Sequence, residues 1–105
     1  MNSARISDLL KTRPKTSMYW GLYLALPNAG AKPDLGIAVA KKLAKRAVDR
    51  NRLKRMIREV VRTGTGLSQE SDVVVKLKKP IGRDTRGRLR KQEQDVLRKQ
   101  ILGLI

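Results

Sequence analysis

The sequence has no cysteine, no histidine and no phenylalanine. The first two absences exclude disulfides, Cys/His zinc sites, and Ser-His or Cys-His nucleophilic chemistry. A chain without cysteine also fits a reducing cytoplasm. Aromatics reduce to Tyr19, Trp20 and Tyr23, so the core must be aliphatic. Acids are scarce as well, nine against twenty-five Lys and Arg. They are scattered, and no two stand at a spacing that local structure would bring together for acid–base work or metal binding. No apolar run approaches the roughly 18–20 residues of a membrane span, and the N-terminus leads into no signal-peptide apolar region. The expectation is a soluble, cytoplasmic protein with no self-sufficient active site.

What is present is positive charge. The formal net charge is +16 over 105 residues. Self-repulsion of that size opposes compaction, and a polyanionic partner is its usual reason. Nucleic acid is the expected partner, with an anionic membrane surface the minor reading. The length sets one domain, residues 1–105, able to bury roughly 60–70% of its unfolded surface.

Residues 3–11 read as a short helix, with Ser3 as cap and Ile6, Leu9 and Leu10 on one face. Pro14 breaks it. Residues 17–26 alternate, Met18, Trp20, Leu22, Leu24 and Leu26 on one face against Tyr19, Gly21, Tyr23 and Ala25 on the other. The turn cluster at 27–34 suggests a loose hairpin to a second strand at 35–41. There Leu35, Ile37 and Val39 oppose Gly36, Ala38 and Ala40, a small-residue face that is either a groove or, slightly favoured, a seat for a helix. A third strand spans 72–79, then a basic loop at 80–88. A last helix starts near Leu89, with Leu89, Val96, Leu97, Ile101 and Leu104 near one face. Such mixing in a short chain implies an α+β sandwich.

The central segment is Arg50-Asn51-Arg52-Leu53-Lys54-Arg55-Met56-Ile57-Arg58-Glu59-Val60-Val61-Arg62. Leu53, Met56, Ile57, Val60 and Val61 recur with helical period and predict a buried stripe. Arg50, Asn51, Arg52, Lys54, Arg55, Arg58 and Arg62 fall outside it. The helix begins between Arg46 and Asp49 and ends at residues 63–66, with Gly64 as a left-handed cap. Asp49 reads as an N-cap or first-turn acid, and Glu59 as a partner for Arg55 or Arg62. A solvated face normally mixes signs, whereas this one is a cationic array suited to phosphates. Asn51 within it can read a sugar hydroxyl or base edge. Trp20 reads as core, and the tyrosine face as either packing or a stacking platform for unpaired bases.

Val39-Ala40-Lys41-Lys42, Arg46-Ala47 and the run from Arg50 to Glu59 resemble the protein subunit of bacterial ribonuclease P, whose hallmark is an Arg-Asn-Arg helix. Gly36, the strand Asp72-Val73-Val74-Val75 and the break Lys79-Pro80 fit the same family. The resemblance implies an αβββαβα sandwich on a four-stranded sheet with a left-handed βαβ crossover. It implies a catalytic RNA partner that uses Mg²⁺, without an organic cofactor, to cut the 5′ leader from precursor tRNA, in a 1:1 complex away from membranes. Arg46, Arg50, Asn51, Arg52, Lys54, Arg55, Arg58 and Arg62 would face that RNA. A cleft of Ile6, Leu10, Tyr19, Tyr23, Lys41 and Lys42 would hold the leader. Members usually carry a basic N-terminal extension and two phenylalanines on the first helix. Ile6 and Leu10 stand at those positions and line a cleft without stacking, so weaker or less base-selective leader binding is implied. Two rivals share the composition: a structural ribosomal RNA-binding protein, and a DNA regulator, which would need a second helix that the sequence does not place ahead of the basic one.

Overall fold

The computed structural model describes residues 2–27, 33–63 and 71–105. Its elements run α1 (Ser3–Leu10), β1 (Lys15–Thr16), β2 (Trp20–Ala25), β3 (Leu35–Ala38), α2 (Ala47–Thr63), β4 (Asp72–Leu77) and α3 (Lys91–Leu102). Gly64 and most of the 27–34 turn cluster lie outside the described residues.

The sheet order is β1-β2-β4-β3, which corrects the expected β2–β3 hairpin. β4, with three consecutive valines, takes the buried centre. It pairs antiparallel with β2 along its whole length and parallel with β3. The parallel pair needs a long crossover, and α2 lies within it. β1 closes a tight hairpin onto β2, with Lys15 opposite Leu22. The turn at 17–19 is pinned by Ser17, whose backbone N–H donates to the Trp20 carbonyl at 2.9 Å and whose hydroxyl accepts the Trp20 N–H at 3.2 Å. Met18 sits at the tip and Leu26 beyond the strand end, 60% and 80% exposed, so neither joins the core face expected of them.

Cross-strand register sorts the rest. Trp20 with Leu77, Leu22 with Val75 and Ile37, and Leu24 with Val73 and Leu35 form rows on one face. Onto it α2 lays Leu53, Met56, Ile57 and Val60, and α3 lays Leu97 and Ile101. Full burial of each such side chain contributes about 1.5–3 kcal/mol. Val61 lies at the core edge, while Val96, expected inside, is 46% exposed. The indole Nε1–H of Trp20 donates to the Leu97 carbonyl at 2.9 Å, so the one large aromatic buries its polar atom without penalty. α3 starts at Lys91 rather than Leu89 because the Leu89 N–H donates to the Asp49 carboxylate at 3.1 Å.

The opposite face is thinner. α1 packs on β2 and β4, and its buried Leu9 and the buried Val74 lie outside the main core cluster. Asn2, not Ser3, caps α1, its side chain accepting the Arg5 N–H at 2.9 Å. Arg5 then clamps the helix to the sheet. Its Nε donates to Asp72 at 3.0 Å and a terminal nitrogen to the Leu26 carbonyl at 2.6 Å, while Asp72 also accepts the Asp34 N–H at 2.9 Å.

Candidate nucleic-acid interface

The apolar stripe of α2 fixes which side of the helix meets water. Asn51, Arg52, Arg55, Arg58 and Arg62 are exposed and Lys54 half-buried. Asn51, Arg52, Lys54, Arg55 and Arg58 have neither an ion pair nor a side-chain hydrogen bond among the described residues. Arg50 and Arg46 differ. The Arg50 guanidinium donates to the carbonyls of Ala44 and Lys45 at 2.9 and 3.0 Å, locking the turn that enters α2. Arg46 lies 3.8 Å from the buried carboxylate of Asp49, a first-turn acid of α2.

Glu59 pairs with Arg98 of α3 at 3.1 Å, which corrects the expected pairing with Arg55 or Arg62. The Arg98 hydrogen bond, then its charge, hold the Glu59 carboxyl below its ordinary value, with Arg62 adding a smaller pull. Glu59 is therefore drawn to a neighbouring helix, and among the described residues Arg55 and Arg58 have no ion pair.

Behind the sheet lies a groove of about 860 Å³ between α1 and the β3 edge. Ser3, Ile6 and Ser7 form one wall, Tyr23 lies on the floor, and residues 37–40, Lys42 and Leu43 form the far side. The small-residue face of β3 is therefore part of an open groove rather than the helix seat that was slightly favoured. Register places Tyr23 beside Val74 and Gly36, and Gly21 beside Lys76 and Ala38. A Cβ at Gly21 would stand 3.0 Å from Tyr23 Cε1, so the phenol ring occupies the space that glycine leaves. Lys76 and Lys78 also line the groove.

Of the residues expected in a cleft, the structure brings Ile6, Tyr23 and Lys42 together. Leu10, Lys41 and Tyr19 are not in its lining. Lys41 falls in a turn, because the chain reverses at Ala40, whose carbonyl accepts the N–H of Leu43 and of Ala44. Tyr19 precedes β2, so strand alternation does not carry it to the Tyr23 face. Its N–H donates to the Gln100 side chain at 2.9 Å, and its side chain borders a separate cavity beside Gly82 and Arg83. Sequence reading missed Lys76 and Lys78. Their alternation in β4 is visible, but only the β2–β4 pairing shows that they share the face of Tyr23.

Among the described residues no three acidic side chains gather to hold a metal ion. Asp49, Asp72, Glu59 and Glu93 are each engaged inside the fold, Glu93 by the Gly82 N–H at 2.8 Å. The described residues thus offer no all-protein carboxylate cage for Mg²⁺. Among them no helix is long and apolar enough to cross a membrane.

Fold and charge define a small basic α+β domain with a cationic helix on one side of its sheet and an open groove on the other. The chain belongs to the ribonuclease P protein family, whose model, described as Ribonuclease P, matches residues 2–100. It is 48% identical over 58 residues to the ribonuclease P protein component of Idiomarina loihiensis, covering 55% of this chain and 46% of that one. With the component from Methylococcus capsulatus it shares 41% over 66 residues, covering 63% and 52%. The chain spans about half the length of these curated relatives. The solved ribonuclease P protein from Thermotoga maritima superposes with a TM-score of 0.67 at 26% identity, over 99% of this chain and 95% of that one.

Proposed function

We propose that this chain is the RNA-binding subunit of ribonuclease P, assisting removal of the 5′ leader from precursor tRNA while a catalytic RNA performs the hydrolysis. The observation that carries the proposal is the row Arg52, Lys54, Arg55 and Arg58 on a rigid helix, without an ion pair among the described residues and with Asn51 at its start. Each phosphate neutralised by such a row releases counterions, which gives affinity without sequence preference. Arg62 extends the row, and Arg46 and Arg50 stand at its N-terminal end while also holding the entry turn.

The groove is assigned to the single-stranded leader. Tyr23 offers a ring for stacking, Ile6 an apolar wall, and Lys42, Lys76 and Lys78 cations for the backbone. Leu10, Tyr19 and Lys41 are left out of this assignment because they lie outside the groove lining. Holding the leader extended and neutralising phosphates raises substrate affinity and lowers the Mg²⁺ demand. The Mg²⁺ is assigned to the RNA, the complex to one protein per RNA, and its place to the cytoplasm. The test is to isolate the full-length protein from cells and sequence the RNA that accompanies it. Ribonuclease P RNA supports the proposal, and ribosomal RNA in its place overturns it.

A further inference from the structure

The proposed function leaves one strongly charged element unused, the loop between β4 and α3. Arg83, Arg86, Arg88 and Arg90 are all exposed there, against the single acid Asp84. None of the four guanidinium groups has an ion pair or hydrogen bond among the described residues. Four uncompensated cations crowded together repel one another, and an exposed basic loop of this kind would ordinarily be mobile.

This one is built. Ile81 is buried and its N–H donates to the Leu43 carbonyl at 2.9 Å, while the buried Leu89 donates to Asp49 at 3.1 Å. One end is thus fastened to the turn that enters α2 and the other to the first turn of α2 itself. Inside, the N–H groups of Thr85 and Gly87 donate to the Gly82 carbonyl at 3.2 and 2.8 Å, and the Thr85 hydroxyl donates to the Arg88 carbonyl. Gly82 and Gly87 have φ of 68° and 83°, and a Cβ on Gly82 would lie 2.5 Å from the Gly87 carbonyl carbon. Arg86, with a side chain, is also held left-handed at φ 55°, where glycine would be the unstrained choice. The fold therefore keeps an arginine at a position where its backbone is strained.

The loop and the turn into α2 enclose a cavity of about 380 Å³ edged by Lys42, Lys45, Arg83 and Arg86. Lys42 also lines the groove. The loop thus joins the cations of the groove to those at the start of α2.

We propose that the 82–90 loop is a second, preorganised phosphate-binding surface for the backbone of the catalytic RNA, separate from the face of α2. This rests on the proposed function. Preorganisation favours it because the loop need not be ordered on binding. The exposed cations are all arginines, and the one apolar side chain between them, Leu89, is buried, which suits phosphates better than a lipid interface.

The test measures binding of the full-length protein to a ribonuclease P RNA transcript across a salt series. Arg86→Gln/Arg88→Gln should weaken binding and reduce the salt slope by about 0.7–0.9 per arginine. Arg86→Gly is the second variant, since it removes the charge and relieves the backbone. It should keep the wild-type melting temperature and still lose about one unit of slope. Wild-type slope and affinity in both variants, while Arg55→Gln/Arg58→Gln weakens binding, overturn the loop proposal alone. Failure of the wild-type protein to bind that RNA overturns the proposed function and this inference together.

Discussion

The ring of Tyr23 lies over Gly21, so close that a Cβ at position 21 would meet Tyr23 Cε1 at 3.0 Å and Oη at 3.4 Å. Both residues sit on the sheet face that carries the groove. A glycine within a strand normally weakens it. Here it gives the tyrosine ring room beside the strand, where Tyr23 lines the groove.

Tyr23→Ala should therefore weaken binding of precursor tRNA bearing a leader by about 1–3 kcal/mol, and leave binding of mature tRNA unchanged. Tyr23→Phe should retain most of the affinity, since stacking needs the ring. Gly21→Val should lower leader affinity in the wild-type background and have no further effect once Tyr23 is alanine. A double-mutant cycle on the two positions reads this coupling directly.

On α2, Arg55→Ala and Arg58→Ala should each reduce RNA affinity most at low salt, and each should lower the salt slope by about 0.7–0.9. Both side chains are exposed and unpaired, so melting temperatures should stay near wild type. Arg50→Ala should behave differently. It removes the hydrogen bonds to the Ala44 and Lys45 carbonyls, so a loss of about 1–3 kcal/mol in stability should accompany any loss of binding. Denaturant titration separates the two classes.

How much of this was legible in the sequence depends on the range of the interactions involved. α2 was, because its stripe from Leu53 to Val60 repeats every turn and its burial follows from local geometry alone. Trp20 in the core was legible for the same reason, from strand alternation. Strand order was not. β4 separates β2 from β3 because a valine-rich strand is most stable when covered on both faces, and nothing in the intervening residues encodes that choice. The β2–β4 pairing alone brings Lys76 and Lys78 to the groove, whereas Tyr19 parts from Tyr23 because β2 starts one residue after it. Glu59 failed in another way. Arg55 and Arg62 are its neighbours along the helix, but Arg98 reaches it from α3, which only the packing of the two helices provides.

Asp72→Ala should be the most destabilising of these substitutions, because Asp72 is buried at the start of the central strand β4. It leaves the Nε–H of the half-buried Arg5 and the Asp34 N–H without their acceptor, a loss of about 2–4 kcal/mol. Because Arg5 clamps α1 over the groove, leader affinity should fall together with stability. Hydrogen exchange in residues 3–10 should accelerate before that of the central strand β4.

Acid should act through the Glu59–Arg98 pair. The folded-state pKa of Glu59 is depressed below its ordinary value of 4.5, so the carboxylate stabilises the native state above that pH. The contribution is lost as pH falls below 4.5 through the depressed folded value. Glu59→Gln should flatten the stability–pH curve in that acid window while lowering the neutral-pH plateau only slightly, since the pair is exposed. Urea midpoints measured across the window report the difference.

The central claim is that this chain equips a catalytic RNA to process precursor tRNA. Its most direct test is leader cleavage by ribonuclease P RNA at low Mg²⁺, with and without the purified protein. The account predicts that added protein raises the cleavage rate at sub-saturating substrate, that the gain shrinks as Mg²⁺ rises, and that Arg55→Ala/Arg58→Ala removes most of it. An unchanged rate with wild-type protein at low Mg²⁺ would contradict the account.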